Sequence, residues 1–151
     1  MKVLFLDIDG VLNSRRTALA LRGFPNNFKQ IDQFDHVAIG LIRRLCNETG
    51  TKIVLSSYWR FQNSAKDATR ALNLPIISAT PMQCVELDNP HHLRGMEIKE
   101  WLFHHPEVTK YAIVDDDRDM LEEQMDFFVK TTTEDGLLFT HYLQLESILK
   151  D

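Results

Sequence analysis

The sequence predicts an α/β fold: a three-layer sandwich in which a parallel five-stranded sheet carries helices on both faces. Three observations lead there. Short apolar runs alternate along the chain with longer segments of helical periodicity. The runs at 3–6, 52–55 and 111–114 are almost wholly apolar, the pattern of strands buried on both faces. Two of them end in carboxylates, Asp7 and Asp9 after the first and Asp115-Asp116-Asp117 after the later one. In open α/β sheets ligands bind just beyond the carboxyl ends of the strands.

The first strand covers 3–6 and delivers Asp7 at its end, followed by Ile8, Asp9 and Gly10. Carboxylates two residues apart on extended backbone point the same way, and Gly10 lets the chain turn sharply. A calcium loop does not fit here, because Val11 stands at its fifth position and a strand-like segment precedes it. Residues 13–33 have no regular pattern. They carry Arg15, Arg16, Arg22 and Lys29, with no acid before Asp32; such a basic loop is either solvated surface or a means of attracting an anionic substrate.

Asp35 caps a helix with Val37, Leu41, Ile42 and Leu45 on its apolar face, ending at Gly50. A second strand, 52–55, stops at Ser56-Ser57-Tyr58-Trp59-Arg60. A helix over 64–72 turns Ala65, Ala68 and Leu72 inward, and a short third strand at 76–77 follows Pro75. Residues 78–93 read as a loop, and 95–104 as a helix built on Ile98, Trp101 and Leu102 that Pro106 ends. The fourth strand, 111–114, runs into the acidic segment 115–119. A helix through Met120, Leu121 and Met125, a fifth strand at 127–129 and a helix over 140–149 complete the chain.

FLDIDGVL resembles the first motif of the haloacid dehalogenase-like (HAD) phosphohydrolases, a hydrophobic run followed by D-x-D-G-[T/V]. With LSSYWR, RGMEIKEWL and YAIVDDDRDML the resemblance extends over nearly the whole chain. The S-S-x-W-R and D-D-D-x-D-M signatures are similar to the HAD domain of Swiss Army Knife RNA repair proteins. Those proteins are in turn similar to the phosphatase part of polynucleotide kinase-phosphatases. The resemblance implies a HAD-type Rossmannoid sheet of order 5-4-1-2-3, which sets the first and fourth strands side by side. The segments 13–31 and 78–93 are too short for the cap domain common in small-metabolite HAD enzymes. Residues 1–151 therefore read as a single capless domain with an open site.

The resemblance also implies roles. Asp7 would attack phosphorus and form an aspartyl phosphate; Asp9 would protonate the leaving alkoxide and then serve as base. Asp115, Asp116 and Asp119 would gather near this pair. Two carboxylates about 4 Å apart repel by roughly 4 kcal/mol at an effective dielectric near 20, so the cluster calls for a cation. Oxygen ligands without His or Cys point to Mg²⁺. The resemblance gives it the side chains of Asp7 and Asp115 and the carbonyl of Asp9, with Asp116 orienting its waters. Ser56 matches the second motif and Arg94 stands where the third more often has Lys; both would hold phosphoryl oxygens. Trp59 is either core packing or a substrate contact, and Arg60 either a surface ion-pair residue or a grip on substrate, alongside Arg15 or Arg16.

Composition narrows the classes. With 44% hydrophobic and 26% charged residues the chain is globular. A net charge of −5 argues against holding nucleic acid by bulk electrostatics, though not against reading an end through a local patch. Cys46 and Cys84 give no disulfide framework and favour a reducing, cytoplasmic setting. The first apolar run, broken by Asp7 and Asp9, is neither a signal peptide nor a membrane span. The six His, including His91-His92 and His104-His105, lack metal-like spacing. A receiver domain would need its acceptor Asp where Ser56 stands. The expectation is thus a Mg²⁺-dependent phosphomonoester hydrolase acting on nucleic-acid ends, the 3′ end first, or on nucleotides. A phosphatase of a small phosphometabolite and a catalytically silent module that grips phosphorylated ends are the alternatives.

Overall fold

The computed structural model describes residues 1–82 and 93–151. Cys84, His91, His92 and most of the 78–93 loop lie outside them. Five parallel strands form one sheet: β1 (Lys2–Leu6), β2 (Lys52–Leu55), β3 (Ile76–Ala79), β4 (Lys110–Asp115) and β5 (Phe128–Lys130). Their order is β3-β2-β1-β4-β5, the expected order read from the opposite edge. The register pairs Leu6 of β1 with Leu55 of β2 and with Val114 of β4. Asp7, Ser56 and Asp115 therefore leave the sheet at one level, at its carboxyl edge.

The apolar runs have no polar face because both faces are covered. Alternate residues of the central strands feed two cores. Leu4, Leu6, Ile53, Leu55, Ala112 and Val114 enter one; Val3, Phe5, Val54 and Ile113 enter the other. The first is closed by α2 (His36–Thr49), α3 (Ala65–Leu72) and α5 (Phe139–Leu149). The second is closed by α4 (Leu93–Phe103), whose Trp101 sets its ring edge-on to Phe5 with centroids 5.4 Å apart. In α2 the Asp35 carboxylate accepts the Ala38 N–H at 3.0 Å, and Gly50 ends the helix at φ 71°. The buried face of α2 is Ala38, Ile39, Ile42, Leu45 and Cys46. Val37, expected inside, is 72% exposed, because it lies to one side of the stripe formed by Ala38, Ile39, Ile42 and Leu45.

Two stretches depart from expectation. Residues 13–33 are not irregular throughout: α1 (Arg15–Ala20) begins at Ser14, whose hydroxyl accepts the Thr17 N–H, and a 3-10 segment spans Phe28–Gln33. Both are short and bury no residue completely, so they leave no helical stripe in the sequence. The segment through Met120 and Met125 is a 3-10 helix at Glu122–Phe127 rather than an α-helix. Gln124 accounts for this. Its carbonyl accepts the Leu121 N–H at 3.0 Å and its amide donates to the Gly95 carbonyl at 2.8 Å, tying the turn to α4.

Candidate active site

The site forms where β1, β2 and β4 end. Asp7 leaves β1 with its N–H on the Val114 carbonyl at 3.1 Å. Oxygens of Asp7, Asp115 and Asp116 all lie within 4.8 Å of one another, on two neighbouring strands separated by more than a hundred residues in sequence. Gly10, at φ 71°, brings the turn after β1 so close that a Cβ there would collide with the Asp116 carboxylate. Two threonines after β5 fasten the arrangement. Thr131 donates to the Gly10 carbonyl at 2.6 Å, and Thr133 donates to Asp116 Oδ2 at 2.7 Å.

Burial and crowding decide the electrostatics. Asp7 is pushed up to about 6, chiefly by desolvation, against which Arg94, the Ser57 hydroxyl and the Ile8 backbone act. Asp115 is pushed up to about 8 by desolvation and by the charge of Asp7, with the Asp117 N–H and Arg94 opposing. The Asp117 N–H reaches Asp115 Oδ1 at 2.9 Å, and Arg94 Nε stands 3.5 Å from Asp115 Oδ2. An all-carboxylate donor set with protons held this high fits a hard divalent cation of the Mg²⁺ type.

Asp9 occupies a different environment. It is exposed, and each of its oxygens takes one neutral donor. The amide of Asn13 donates to Oδ1 at 2.8 Å and the indole N–H of Trp59 donates to Oδ2 at 3.0 Å. Asn13 is itself fixed, its carbonyl accepting the Gly10 N–H at 3.2 Å. Trp59 is held by Phe28 and Phe34, with ring centroids 4.9 and 5.4 Å away. Trp59 is thus packed into the core along its ring while its one polar atom serves Asp9.

The other expected site residues separate into those that reach Asp7 and those that do not. Arg94, at the start of α4, lies beside Asp7 and Asp115 as the third-motif position should. Ser56 is fully buried with its hydroxyl unpartnered, and it is the hydroxyl of Ser57 that meets Asp7. Asp119 stays out of the acid cluster and caps α4, accepting the Arg94 N–H at 3.1 Å. Arg60 turns inward, away from solvent. Its side chain is 4% exposed, its Nη2 is 2.8 Å from Glu97, and its Nη1 donates to the carbonyls of Ser56 and Ser57. It braces the β2 turn from below. Arg15 is solvent-facing and 3.7 Å from Glu134, while Arg16 is 3.4 Å from Asp35; both are drawn to the acids around α1 rather than to the acid cluster.

Glu97 and Asn13 were not singled out by sequence reasoning. Glu97 is a buried acid on α4 that lies 2.8 Å from Arg60 and 3.7 Å from Arg94, balancing two guanidinium groups under the site. An acid placed three residues after Arg94 is the only mark it leaves in the sequence. Asn13 closes the turn that begins at Asp9, and an Asn at a turn carries no distinctive signal.

A profile built for the HAD domain in Swiss Army Knife RNA repair proteins matches residues 3–141. The chain belongs to this family. No curated protein and no solved structure matches it. The match takes in every strand of the HAD sheet and the acid cluster, and family membership supports HAD-type phosphatase chemistry at the edge formed by Asp7, Asp9 and Asp115. No helix among the described residues is long and apolar enough to cross a membrane.

Proposed function

We propose that this HAD domain hydrolyses phosphomonoesters through an aspartyl phosphate on Asp7, with Mg²⁺ as cofactor and a phosphorylated nucleic-acid end, the 3′ end first, as substrate. One observation carries the reading: the two carboxylates of D-x-D occupy opposite environments. Asp7 is buried among charges, while Asp9 is exposed and held by two neutral donors. Asp9, exposed, can meet a leaving oxygen and water, while Asp7 sits in the acid cluster near Arg94, where a bound cation would keep it ionised as a nucleophile must be.

The Asp7 carboxylate attacks phosphorus, and the bond from phosphorus to the leaving oxygen breaks as Asp9 gives that oxygen a proton. A water then attacks the aspartyl phosphate while Asp9 takes its proton, returning free Asp7 and inorganic phosphate. Arg94, whose charge acts on Asp7, and the Ser57 hydroxyl, which hydrogen-bonds it, hold the phosphoryl oxygens. Asp7 and Asp115, with the Asp9 carbonyl, would hold the cation, and Asp116 its waters. When bound, Mg²⁺ neutralises charge between the carboxylates and the phosphoryl oxygens.

Phosphate release should be compared across 3′-phosphorylated oligonucleotides, 5′-phosphorylated ones, free nucleotides and sugar phosphates. The highest kcat/KM is expected on the 3′-phosphorylated end. A clear preference for a small sugar phosphate overturns the substrate, and no release from any of them overturns the reaction.

Trp59 has a role in this scheme that its chemistry makes testable. Trp59→Phe keeps an aromatic ring between Phe28 and Phe34 but removes the N–H that holds Asp9 Oδ2. A hydrogen bond to a charged group contributes about 1.5 kcal/mol, so kcat should fall about tenfold. KM and melting temperature should hardly move. An unchanged kcat would show that Asn13 alone positions Asp9.

A further inference from the structure

We propose that the cleft beside Asp9 seats the base of the nucleoside that leaves, so that this enzyme recognises its substrate by stacking next to the scissile bond; the proposal rests on the phosphatase reading above. The cleft holds about 450 Å³, within the range of roughly 300–1,000 Å³ usual for small-molecule sites. Asp9 lies in its wall. Because Asp9 must meet the leaving oxygen, whatever fills this cleft belongs to the leaving group and not to the phosphate.

The lining says what chemistry that group has. Among the described residues no lysine or arginine contributes to it, and its ionisable residues are Asp9, Asp116 and Tyr58. A second phosphate or another anion would be repelled there, so the group that enters carries no negative charge. Two aromatic rings, Phe24 and Tyr58, line the cleft while 47% and 66% exposed. Exposed rings beside a catalytic carboxylate suit a flat π-face, and base–aromatic stacking is indifferent to which base is bound. Tyr58 also lines the neighbouring cleft that holds Arg94, whose guanidinium lies 5.2 Å from the ring centroid. The ring is thereby a partition with the phosphate-holding arginine on one side and the leaving-group cleft on the other. Besides Asn13, whose amide is committed to Asp9, the lining carries Asn26 and Gln62, whose amides match the mixed donor and acceptor edges of bases. Phe24 and Asn26 come from residues 13–33, the stretch whose basic side chains are expected from the sequence to attract substrate. In this reading that stretch contributes through its aromatic and amide side chains instead.

The test compares two 3′-phosphorylated oligonucleotides that differ only in whether the terminal sugar carries a base or is abasic. The base-bearing end should have about a 10- to 100-fold higher kcat/KM, the range that stacking on one or two rings gives. Tyr58→Leu and Phe24→Leu should each compress that ratio to within about threefold, mainly by raising KM for the base-bearing substrate. A nucleoside 3′-phosphate run beside the oligonucleotide separates free nucleotides from nucleic-acid ends, and a base preference in either supports the cleft assignment. Equal rates on base-bearing and abasic ends, with phosphate still released, overturn this proposal and leave the phosphatase intact. Should no substrate release phosphate, the phosphatase reading fails separately, and tryptophan emission in a Trp101→Phe background, where Trp59 is the remaining emitter, decides the cleft: adenosine should change it and ribose should not. Identical responses to the two overturn the base site.

Discussion

Asp7→Asn should reduce phosphate release by at least roughly three orders of magnitude while leaving the fold intact. The amide has the shape of the carboxylate, so the N–H contact from Asp7 to Val114 and the packing at the end of β1 are unaffected. What disappears is the nucleophile, and with it the covalent route. Removing one charge from a buried acid cluster should, if anything, stabilise the metal-free protein. A melting temperature no lower than wild type, together with single-turnover assays that trap no phosphoenzyme, is the expected pair of results. The same loss should follow EDTA and reverse on adding Mg²⁺. Activity that survives the substitution at a comparable rate would falsify nucleophilic catalysis by Asp7.

How much of this was legible beforehand depends on how each feature is encoded. The central strands announce themselves because a sheet covered on both faces has no polar side, and 3–6, 53–55 and 112–114 are unbroken apolar runs. Asp7 and Asp115 were found because each stands one step beyond such a run. Features set by a single tertiary contact were not. Whether Ser56 or Ser57 faces Asp7 depends on how the chain turns off β2, and two adjacent serines carry no mark of that. Arg60 reads as a solvent-facing cation until Glu97 is known to lie beneath it, and the two are 37 residues apart in sequence. The short α1 and the 3-10 turns bury too little to impose a period, so the walls of the cleft beside Asp9 leave no regular pattern in the sequence. Trp59 was open between core packing and substrate contact. It packs in the core and yet acts on the site, because an indole has an apolar ring for the first and a single N–H for the second.

Metal-free protein should lose stability as pH rises from 5 to 8, the reverse of what ion-paired acids do. Asp7 and Asp115 hold protons up to about 6 and about 8 in the fold, against 3.8 for each unfolded. The folded state therefore binds more protons than the unfolded chain across this window, and unfolding free energy falls with pH. The stabilisation is complete below about pH 4 and is lost as pH climbs through the folded values. Because each shifted unit is about 1.4 kcal/mol, the loss between pH 5 and 8 should reach about 3 kcal/mol or more, read from denaturant midpoints in EDTA. Asp115→Asn removes the cost of a buried charge, which desolvation sets first and the charge of Asp7 second. At pH 5 the wild-type group is already neutral, so the variant should match wild type; at pH 8 the metal-free variant should be the more stable. Saturating Mg²⁺ should invert that order, since the cation stabilises the folded wild type by linkage and the amide holds it less well. A metal-free variant less stable than wild type at pH 8 would mean that Asp115 contributes more through its contacts with Arg94 and the Asp117 N–H than it loses to burial and to Asp7.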